Sequence, residues 1–264
     1  MTVFQWNAAD YAKSSSVQQI WARELIGKLK LKGSERILDI GCGDGKITTE
    51  LATQVSNGSV LGIDSSNEMI TLAQSKFAAE PHSNLRFQHG DASTLSFKNE
   101  FDVVFSNATL HWVLDHRPVL KGIYNSLKQG GTILLQMGGR GNAADVAASL
   151  KTLILKNEWQ DYFNGFTFSY GFYGTAEYHQ WLEETQLQSI RVELILKDAA
   201  HQNHEAFEGW IRTTWLPWTQ RVPVEKRENF IKQLAIAYLE QHPADTQGVI
   251  HVSMVRLEVE ARKE

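Results

Sequence analysis

Short apolar runs alternate with amphipathic segments through the first half of the chain. The apolar runs predict β-strands at 37–40, 60–63, 85–88, 101–105 and 132–137. Apolar residues at helical spacing predict helices at 46–55, 67–78 and 117–127, the last stopped by the Lys-Gln-Gly-Gly sequence that follows it. Strands that alternate with helices in this way are joined by right-handed crossovers, so we expect a parallel sheet covered by helices on both faces.

The segments on either side of this region complete the predicted fold. A serine cluster precedes apolar residues at helical spacing, which predicts an amphipathic helix at 14–29. Residues 178–186 are predicted to be helical, and apolar residues alternate with charged ones at 192–196 and 255–259, a pattern typical of half-buried antiparallel strands. Between these two strands lies a predicted helical insertion, 205–218 and 225–241, which is too long for a hairpin connection.

Together these elements predict a Rossmann-like α/β fold. We expect a mostly parallel seven-stranded sheet with helices on both faces, an antiparallel last strand, and a helical cap inserted between the last two strands. A single domain is expected over residues 1–264. Within it, 1–32 would form a helical segment covering the site, 33–138 a cofactor-binding core, and 139–264 the cap and closing strands.

Composition narrows the choice of partners. The 264 residues are 42% hydrophobic and 21% charged, as in ordinary soluble globular proteins. The formal net charge is -4 and Lys and Arg are not densely clustered, so nucleic acid is not an expected partner. The chain opens without a basic region followed by an apolar one, and no apolar run is long enough to cross a bilayer. We therefore expect no membrane partner, a cytoplasmic location, and a monomer or homodimer.

Cysteine and histidine usage argues against a metal site. Cys42 is the one cysteine, so a disulfide within the chain and a multi-cysteine site are excluded, and we interpret it as a small side chain beside a close backbone contact. The pair His201 and His204 and the pair His111 and His116 lack acidic or thiol partners at helical ligand spacing. We expect these histidines to lie in solvated loops, and no bound metal.

A glycine-rich turn joins the first predicted strand to the helix after it. Asp39 is followed by glycines at alternate positions, Gly41, Gly43 and Gly45. Glycine permits positive φ and lets the backbone approach a ligand, and the next helix directs its free N–H groups at that ligand. The dinucleotide fingerprint would need glycine where Lys46 stands. A carboxylate here would repel a pyrophosphate but suits a ligand with an ammonium group, such as S-adenosylmethionine.

Polar side chains at the ends of the next strands extend this site. Because ligands of parallel sheets bind at the carboxyl ends of the strands, the side chains there should converge on one edge. Asp64 is placed to accept both ribose hydroxyls, Asp91 with Ala92 to take the adenine amino group, and Met69 to pack on the adenine face. The predicted cofactor-contacting residues are Asp39, Gly41, Cys42, Gly43, Asp64, Ser65, Met69, Asp91, Ala92 and Asn107.

Asp39, Gly41, Gly43 and Gly45 resemble the first motif of class I S-adenosylmethionine-dependent methyltransferases. The run FSNATLHWVLDH at 105–116, with LLQM at 134–137, resembles the trans-aconitate methyltransferases. In the N-terminal half, DYAKSSSVQ at 10–18 and LHWV within the same run are similar to the juvenile hormone acid methyltransferases. Both families esterify carboxylic acids, which implies a methyltransferase domain acting on a small-molecule acid. The resemblance further implies that Gln18 and Trp112 donate hydrogen bonds to the substrate carboxylate.

The acceptor chemistry has alternatives. A carboxylate is ionised at neutral pH, with a reference pKa of about 4, and needs no general base. In a second interpretation His111 is the base for a hydroxyl, amine or carbon acceptor; in a third, His111 is structural and bonded to backbone. A catalytically silent cofactor-binding protein is a further hypothesis, and an NAD enzyme is disfavoured by Lys46 and Asp39.

Two features beyond the core bear on the substrate. Arg140 would blunt an attacking carboxylate oxygen, so it fits a remote acidic group of the substrate better. The stretch 159–173 is dense with aromatic residues and broken by glycines. It is interpreted either as aromatic core packing or as a loop that lines a pocket.

Overall fold

The computed structural model describes residues 16–77 and 83–264, with side chains from residue 19 onward. The chain falls into two compact units. The sheet unit comprises Gln18–Arg140, Tyr170–Ile195 and Arg256–Glu264, and the helical unit comprises Gly141–Ser169 and Leu196–Val255. The single domain expected from the sequence, with its cap, stays a prediction.

The sheet has seven strands and the predicted mixed topology. Their order is β3-β2-β1-β4-β5-β7-β6; β1 to β5 pair in parallel with their neighbours, and β7 runs antiparallel to β5. The strands are β1 (Arg36–Ile40), β2 (Ser59–Asp64), β3 (Leu85–His89), β4 (Phe101–Asn107), β5 (Leu127–Gly138), β6 (Leu187–His201) and β7 (Ile250–Lys263). The Rossmann-like α/β prediction is therefore confirmed.

Helices follow most strands, and the predicted insertion between β6 and β7 is helical. The helices are α1 (Ser16–Ile26), α2 (Lys46–Gln54), α3 (Asn67–Phe77), α4 (His116–Ser126), α5 (Ala144–Leu153), α6 (Gln160–Phe163), α7 (Thr175–Glu184), α8 (His204–Thr214), α9 (Leu216–Thr219) and α10 (Val224–Leu239). Single 3₁₀ turns form at Ala92–Thr94 and Leu110–Trp112. No helix in the described ranges is long and apolar enough to cross a membrane.

Both faces of the parallel sheet are buried. Leu38 and Val104 lie in one apolar cluster with Ile123 of α4. Their strand neighbours Ile37 and Phe105 belong to a second cluster, which also holds the apolar residues of α2. Successive residues of a strand point to opposite faces, so these strands need apolar residues at almost every position. This explains why the parallel strands could be predicted from continuous apolar runs in the sequence.

Several boundaries differ from the predictions. The segment 128–131, predicted to stop a helix, belongs to β5, where the register with β4 shifts and Gly130 has φ +77°. The helix predicted at 205–218 is divided after Thr214, since Pro217 cannot donate to a preceding turn and lies instead in the first turn of a new helix that begins at Leu216. The helix predicted at 14–29 ends at Ile26, and its predicted start lies outside the described residues, as does residue 78 at the predicted end of α3.

Candidate functional site

The turn between β1 and α2 has space only for glycine. Gly41, Gly43 and Gly45 adopt φ values of +78°, +53° and +82°. A Cβ on Gly41 would lie 2.1 Å from the Thr109 side chain, and one on Gly45 would lie 2.7 Å from the Phe87 ring. Helix α2 starts directly after the turn, so the N–H groups of its first turn and the positive end of its dipole lie at the glycines. This is a backbone cradle at the carboxyl edge of the sheet.

Asp39 is a buried carboxyl group at the base of the cradle. It is 2% exposed, and Oδ2 accepts a hydrogen bond from Thr48 Oγ1 at 2.7 Å. Burial raises the pKa of Asp39 to about 7; the Thr48 hydrogen bond opposes this rise, and the nearby Asp64 charge adds to it. A cation beside Asp39 would therefore convert a partly protonated group into a carboxylate.

Asp64 ties the end of β2 to the glycine turn. Its Oδ2 accepts from the backbone N–H of Gly43 at 3.0 Å, and its Oδ1 accepts from that of Ser66 at 2.9 Å. Burial raises the pKa of Asp64, while these backbone hydrogen bonds act against the rise. A carboxylate oxygen has two acceptor lone pairs, so both oxygens keep capacity for ligand hydroxyls.

The other predicted adenosine-contacting residues follow β2 and β3. Ser65 is exposed, and Met69 is buried on α3. Asp91 caps the 3₁₀ turn after β3, where Oδ1 accepts from the Ser93 backbone N–H at 2.7 Å and Ala92 is buried. One oxygen of Asp91 is therefore engaged in the cap, and Oδ2 is the atom that could take an amino group.

Cys42 is packed in the turn rather than presented as a nucleophile. Its side chain is buried, and its backbone N–H donates to Ile63 O at 3.0 Å. A Cβ on Gly62 would lie 2.8 Å from the Cys42 Cβ, so the space accepts only a small residue. Burial, then the charges of Asp39 and Asp64, raise the pKa of the thiol, which keeps it protonated.

The end of β4 is linked to the glycine turn. Asn107 is half-buried at the strand end, and Ala108 after it has φ +56°. Thr109 Oγ1 donates to Gly41 O at 3.2 Å, and the Ala108 N–H donates to Gln136 O at 2.8 Å. These contacts position the 3₁₀ turn Leu110–Trp112, which carries two of the predicted catalytic residues.

His111 is held as a neutral ring. Its Nδ1 accepts a hydrogen bond from the Gly138 N–H at 3.4 Å. Burial lowers the pKa of His111 well below its usual value, and the positive charge of Arg256 lowers it further. With Nδ1 acting as an acceptor, the ring proton is on Nε2. His111 is thus arranged as a donor.

The aromatic stretch 159–173 divides into two parts. In the helical unit, Trp159 packs against Phe230 with ring centroids 5.1 Å apart, which is core packing. In the sheet unit, Tyr170 packs edge-on against Trp112 at 5.0 Å and stacks on Phe172 at 4.9 Å. The second part therefore lies against the turn that carries His111 and Trp112, and its interpretation as a loop that lines a pocket stays a prediction.

The prediction that the histidine pairs lie in solvated loops is wrong for three of the four residues. His111 is half-buried in the Leu110–Trp112 turn against the rings of Tyr170 and Phe172. His116 is fully buried at the start of α4, and His201 is 5% exposed between the rings of Phe207 and Trp210. Burial lowers the pKa of each to about 4. For His116 the sequence could not show this, because the aromatic residues that enclose it, Tyr173, Tyr178 and Trp181, are distant in the chain. In the described part of the chain, no group of three His, Cys, Asp or Glu side chains could hold a metal ion.

Two further expectations stay predictions. Gln18 lies in α1, but its side chain falls outside the described residues. Arg140 is exposed and forms an ion pair with Glu177, so a substrate acid at Arg140 would have to compete with that partner. Thr48 was not predicted as a site residue, although its place in the first helical turn after the glycines was a signal for contact with the strand end.

Comparisons of the sequence and of the structure with known proteins both find methyltransferases. The methyltransferase domain family matches residues 37–131, which contain every predicted cofactor-contacting residue. Trans-aconitate 2-methyltransferase of Escherichia coli is 25% identical over 98% of this chain and 98% of its own length. That of Deinococcus radiodurans is 32% identical over 61% of this chain and 59% of its own. A Bacillus halodurans structure, provisionally assigned as a methyltransferase, superposes with a TM-score of 0.63 at 20% identity, covering 92% of this chain and 98% of that one.

Proposed function

The chain is a class I S-adenosylmethionine-dependent methyltransferase, and on that premise we propose that it esterifies the carboxylate of a small organic acid. Bound S-adenosylmethionine supplies a methyl group activated by its sulfonium. The matched relatives of Escherichia coli and Deinococcus radiodurans are named trans-aconitate 2-methyltransferases, which supports an acid as acceptor.

The residues around the glycine turn fit the cofactor. The cradle leaves no space for a Cβ at Gly41 and suits backbone contact with the methionine end. Asp39, with its pKa raised to about 7, is the group that an ammonium would stabilise as a carboxylate. Asp64 keeps free acceptor capacity for the ribose hydroxyls, and Asp91 with Ala92 and Met69 would hold the adenine.

The state of His111 carries the proposal for a carboxylate acceptor. A hydroxyl or amine acceptor needs a base, and His111 is the residue considered for that role. Its Nδ1 accepts from the Gly138 N–H, and its pKa lies well below the usual value. A base of such low pKa takes up a proton poorly at neutral pH. A carboxylate, with a reference pKa of about 4, arrives already ionised.

The chain's part in the reaction is then orientation. The indole N–H of Trp112, the Nε2–H of neutral His111 and the amide of Gln18 are neutral donors that can fix one carboxylate oxygen and leave the other nucleophilic. That oxygen would take the methyl group in line with the departing sulfur, which would leave with the electron pair of the carbon–sulfur bond, and no proton would have to move. Alignment of the two reacting groups supplies the rate enhancement.

The test is a methyl-transfer screen with labelled S-adenosylmethionine. The panel holds small acids, including trans-aconitate and medium-chain fatty acids, each with its matched alcohol and amine. Base-labile label on an acid is the expected result, since esters hydrolyse in base. Base-stable label on an alcohol or amine would overturn the carboxylate proposal and favour His111 as base. Tight cofactor binding with no transfer to any acceptor would instead favour a catalytically silent protein.

A further inference from the structure

The Leu110–Trp112 turn is too short to fix its own side chains. It is one 3₁₀ turn, closed by the Trp112 N–H donating to Thr109 O at 3.0 Å and the Val113 N–H donating to Leu110 O at 2.9 Å. Such short turns have poor hydrogen-bond geometry and rely on outside contacts. What holds the turn therefore decides where the indole of Trp112 points.

One buried ring contacts the backbone on both sides of His111 and Trp112. His116 Nε2 lies 2.8 Å from Leu110 O and 2.9 Å from Val113 O. Carbonyl oxygens only accept hydrogen bonds, so Nε2 carries a proton and donates to both. The two carbonyls lie on either side of His111 and Trp112 in the chain, so this one N–H bridges the two ends of the turn. We call this bridge the clasp.

The other nitrogen of the same ring is held from α7. His116 Nδ1 lies 2.7 Å from Tyr178 Oη, and Tyr178 is fully buried. Burial lowers the pKa of His116 to about 4, against the opposing effects of the two backbone carbonyls and of Asp115, so the ring is neutral at pH 7. Nδ1 then has a lone pair, and the Tyr178 hydroxyl, which also lies 3.2 Å from Met137 Sδ, donates to this nearer and stronger acceptor.

Neighbouring residues keep the ring from turning away. Tyr173 and Trp181 pack against His116 with centroids 4.9 and 5.8 Å away. The Gly171 N–H donates to His111 O at 2.8 Å, and a Cβ on Gly171 would lie 2.3 Å from Val113 O. The backbone at Gly171 therefore packs directly against the turn and leaves no space there for a side chain.

We infer that His116 is a positioning residue for methyl transfer: its neutral ring, oriented by Tyr178, clasps the turn so that Trp112 can hold the acceptor. The inference rests on the proposed function in taking Trp112 as the acceptor-holding group. His116 makes no contact with reactants in this role and acts only through the turn.

Three variants of His116 separate the clasp from simple packing. His116→Gln can place an amide N–H near the position of Nε2, whereas His116→Asn reaches only the position of Nδ1, and His116→Phe keeps the ring without a donor. We expect His116→Phe and His116→Asn to lower kcat/KM for the acceptor by about tenfold to a hundredfold, as misplacement of a reacting group does. His116→Gln should recover most of that loss, and cofactor affinity should change by less than about twofold. Equal losses in all three variants would overturn the inference.

A double-mutant cycle with Trp112→Phe shows whether His116 acts through the indole. If it does, His116→Phe costs little more once the indole N–H is absent; additive losses would refute the positioning role. Should the variants fail to fold, ¹⁵N NMR of the unaltered protein must show the Nε2–H tautomer of His116 at pH 7, and the Nδ1–H tautomer would refute the clasp. Base-stable product would refute only the proposed ester chemistry, because the cycle can be run with any acceptor.

Discussion

Replacing Asp39 with asparagine should make the protein more stable while it loses its cofactor. The carboxyl group is 2% exposed, and burial raises its pKa from 3.8 to about 7. Between these pH values the folded protein keeps a proton that the unfolded chain has released. Stability therefore falls as pH rises from about 4 and the penalty is complete above about 7.

The size of the effect follows from the shift in pKa. The rise from 3.8 to about 7 corresponds to about 4 kcal/mol of destabilisation at pH 8, at about 1.4 kcal/mol for each unit. Asparagine removes the charge and can still accept from Thr48, but it adds two N–H donors that need partners. We expect Asp39→Asn to raise the free energy of unfolding by about 2 kcal/mol at pH 8.

The difference in free energy of unfolding between Asp39→Asn and the parent is measured by urea denaturation at pH 8 and pH 5, followed by circular dichroism. At pH 5 the advantage of Asp39→Asn should fall to less than half of its value at pH 8, because the native carboxyl is then mostly protonated. Thr48→Val is the matched control: it removes the donor to the charged form and should destabilise more at pH 8 than at pH 5. A variant no more stable than the parent at pH 8, or an advantage independent of pH, would refute the reasoning.

The remaining predictions concern the cofactor, the acceptor and the turn. Asp64→Ala should weaken cofactor binding by about 2 kcal/mol through loss of charged hydrogen bonds, and unchanged affinity by calorimetry would remove Asp64 from the site. Gln18→Ala and Trp112→Phe should each lower turnover about tenfold with cofactor affinity nearly intact, since one donor to a carboxylate is lost. Full activity of either variant on an acid would exclude that residue. Gly41→Ala should destabilise the fold by about 2 kcal/mol, because φ is +78° and the Cβ meets Thr109 at 2.1 Å. An unchanged urea midpoint for Gly41→Ala would contradict this expected loss of stability.

The first half of the fold was predictable because its signals are local. The predicted β1 to β4 match the structure within two residues at either end, and α2 to α4 within one where described. Parallel strands buried on both faces need continuous apolar runs, which are visible without any knowledge of partners. The last two strands were predicted too short: β6 and β7 have 15 and 14 residues. Most of β6 is exposed or half-buried, so alternation marked only a part of it.

The candidate site, like the fold, could be predicted only where its signals are local in the sequence. The glycine turn was readable because its geometry is determined by neighbours in sequence, namely the φ values that only glycine adopts easily and the helix that follows at once. Trp112 and His111 could be named from the sequence, but what holds them could not. His116 was assigned to a solvated loop because its partner Tyr178 is 62 residues farther along, and Gly171 reaches the turn from a similar distance. Its burial is therefore a property of tertiary packing, and the same packing makes a neutral hydrogen-bonding ring suitable for holding the turn.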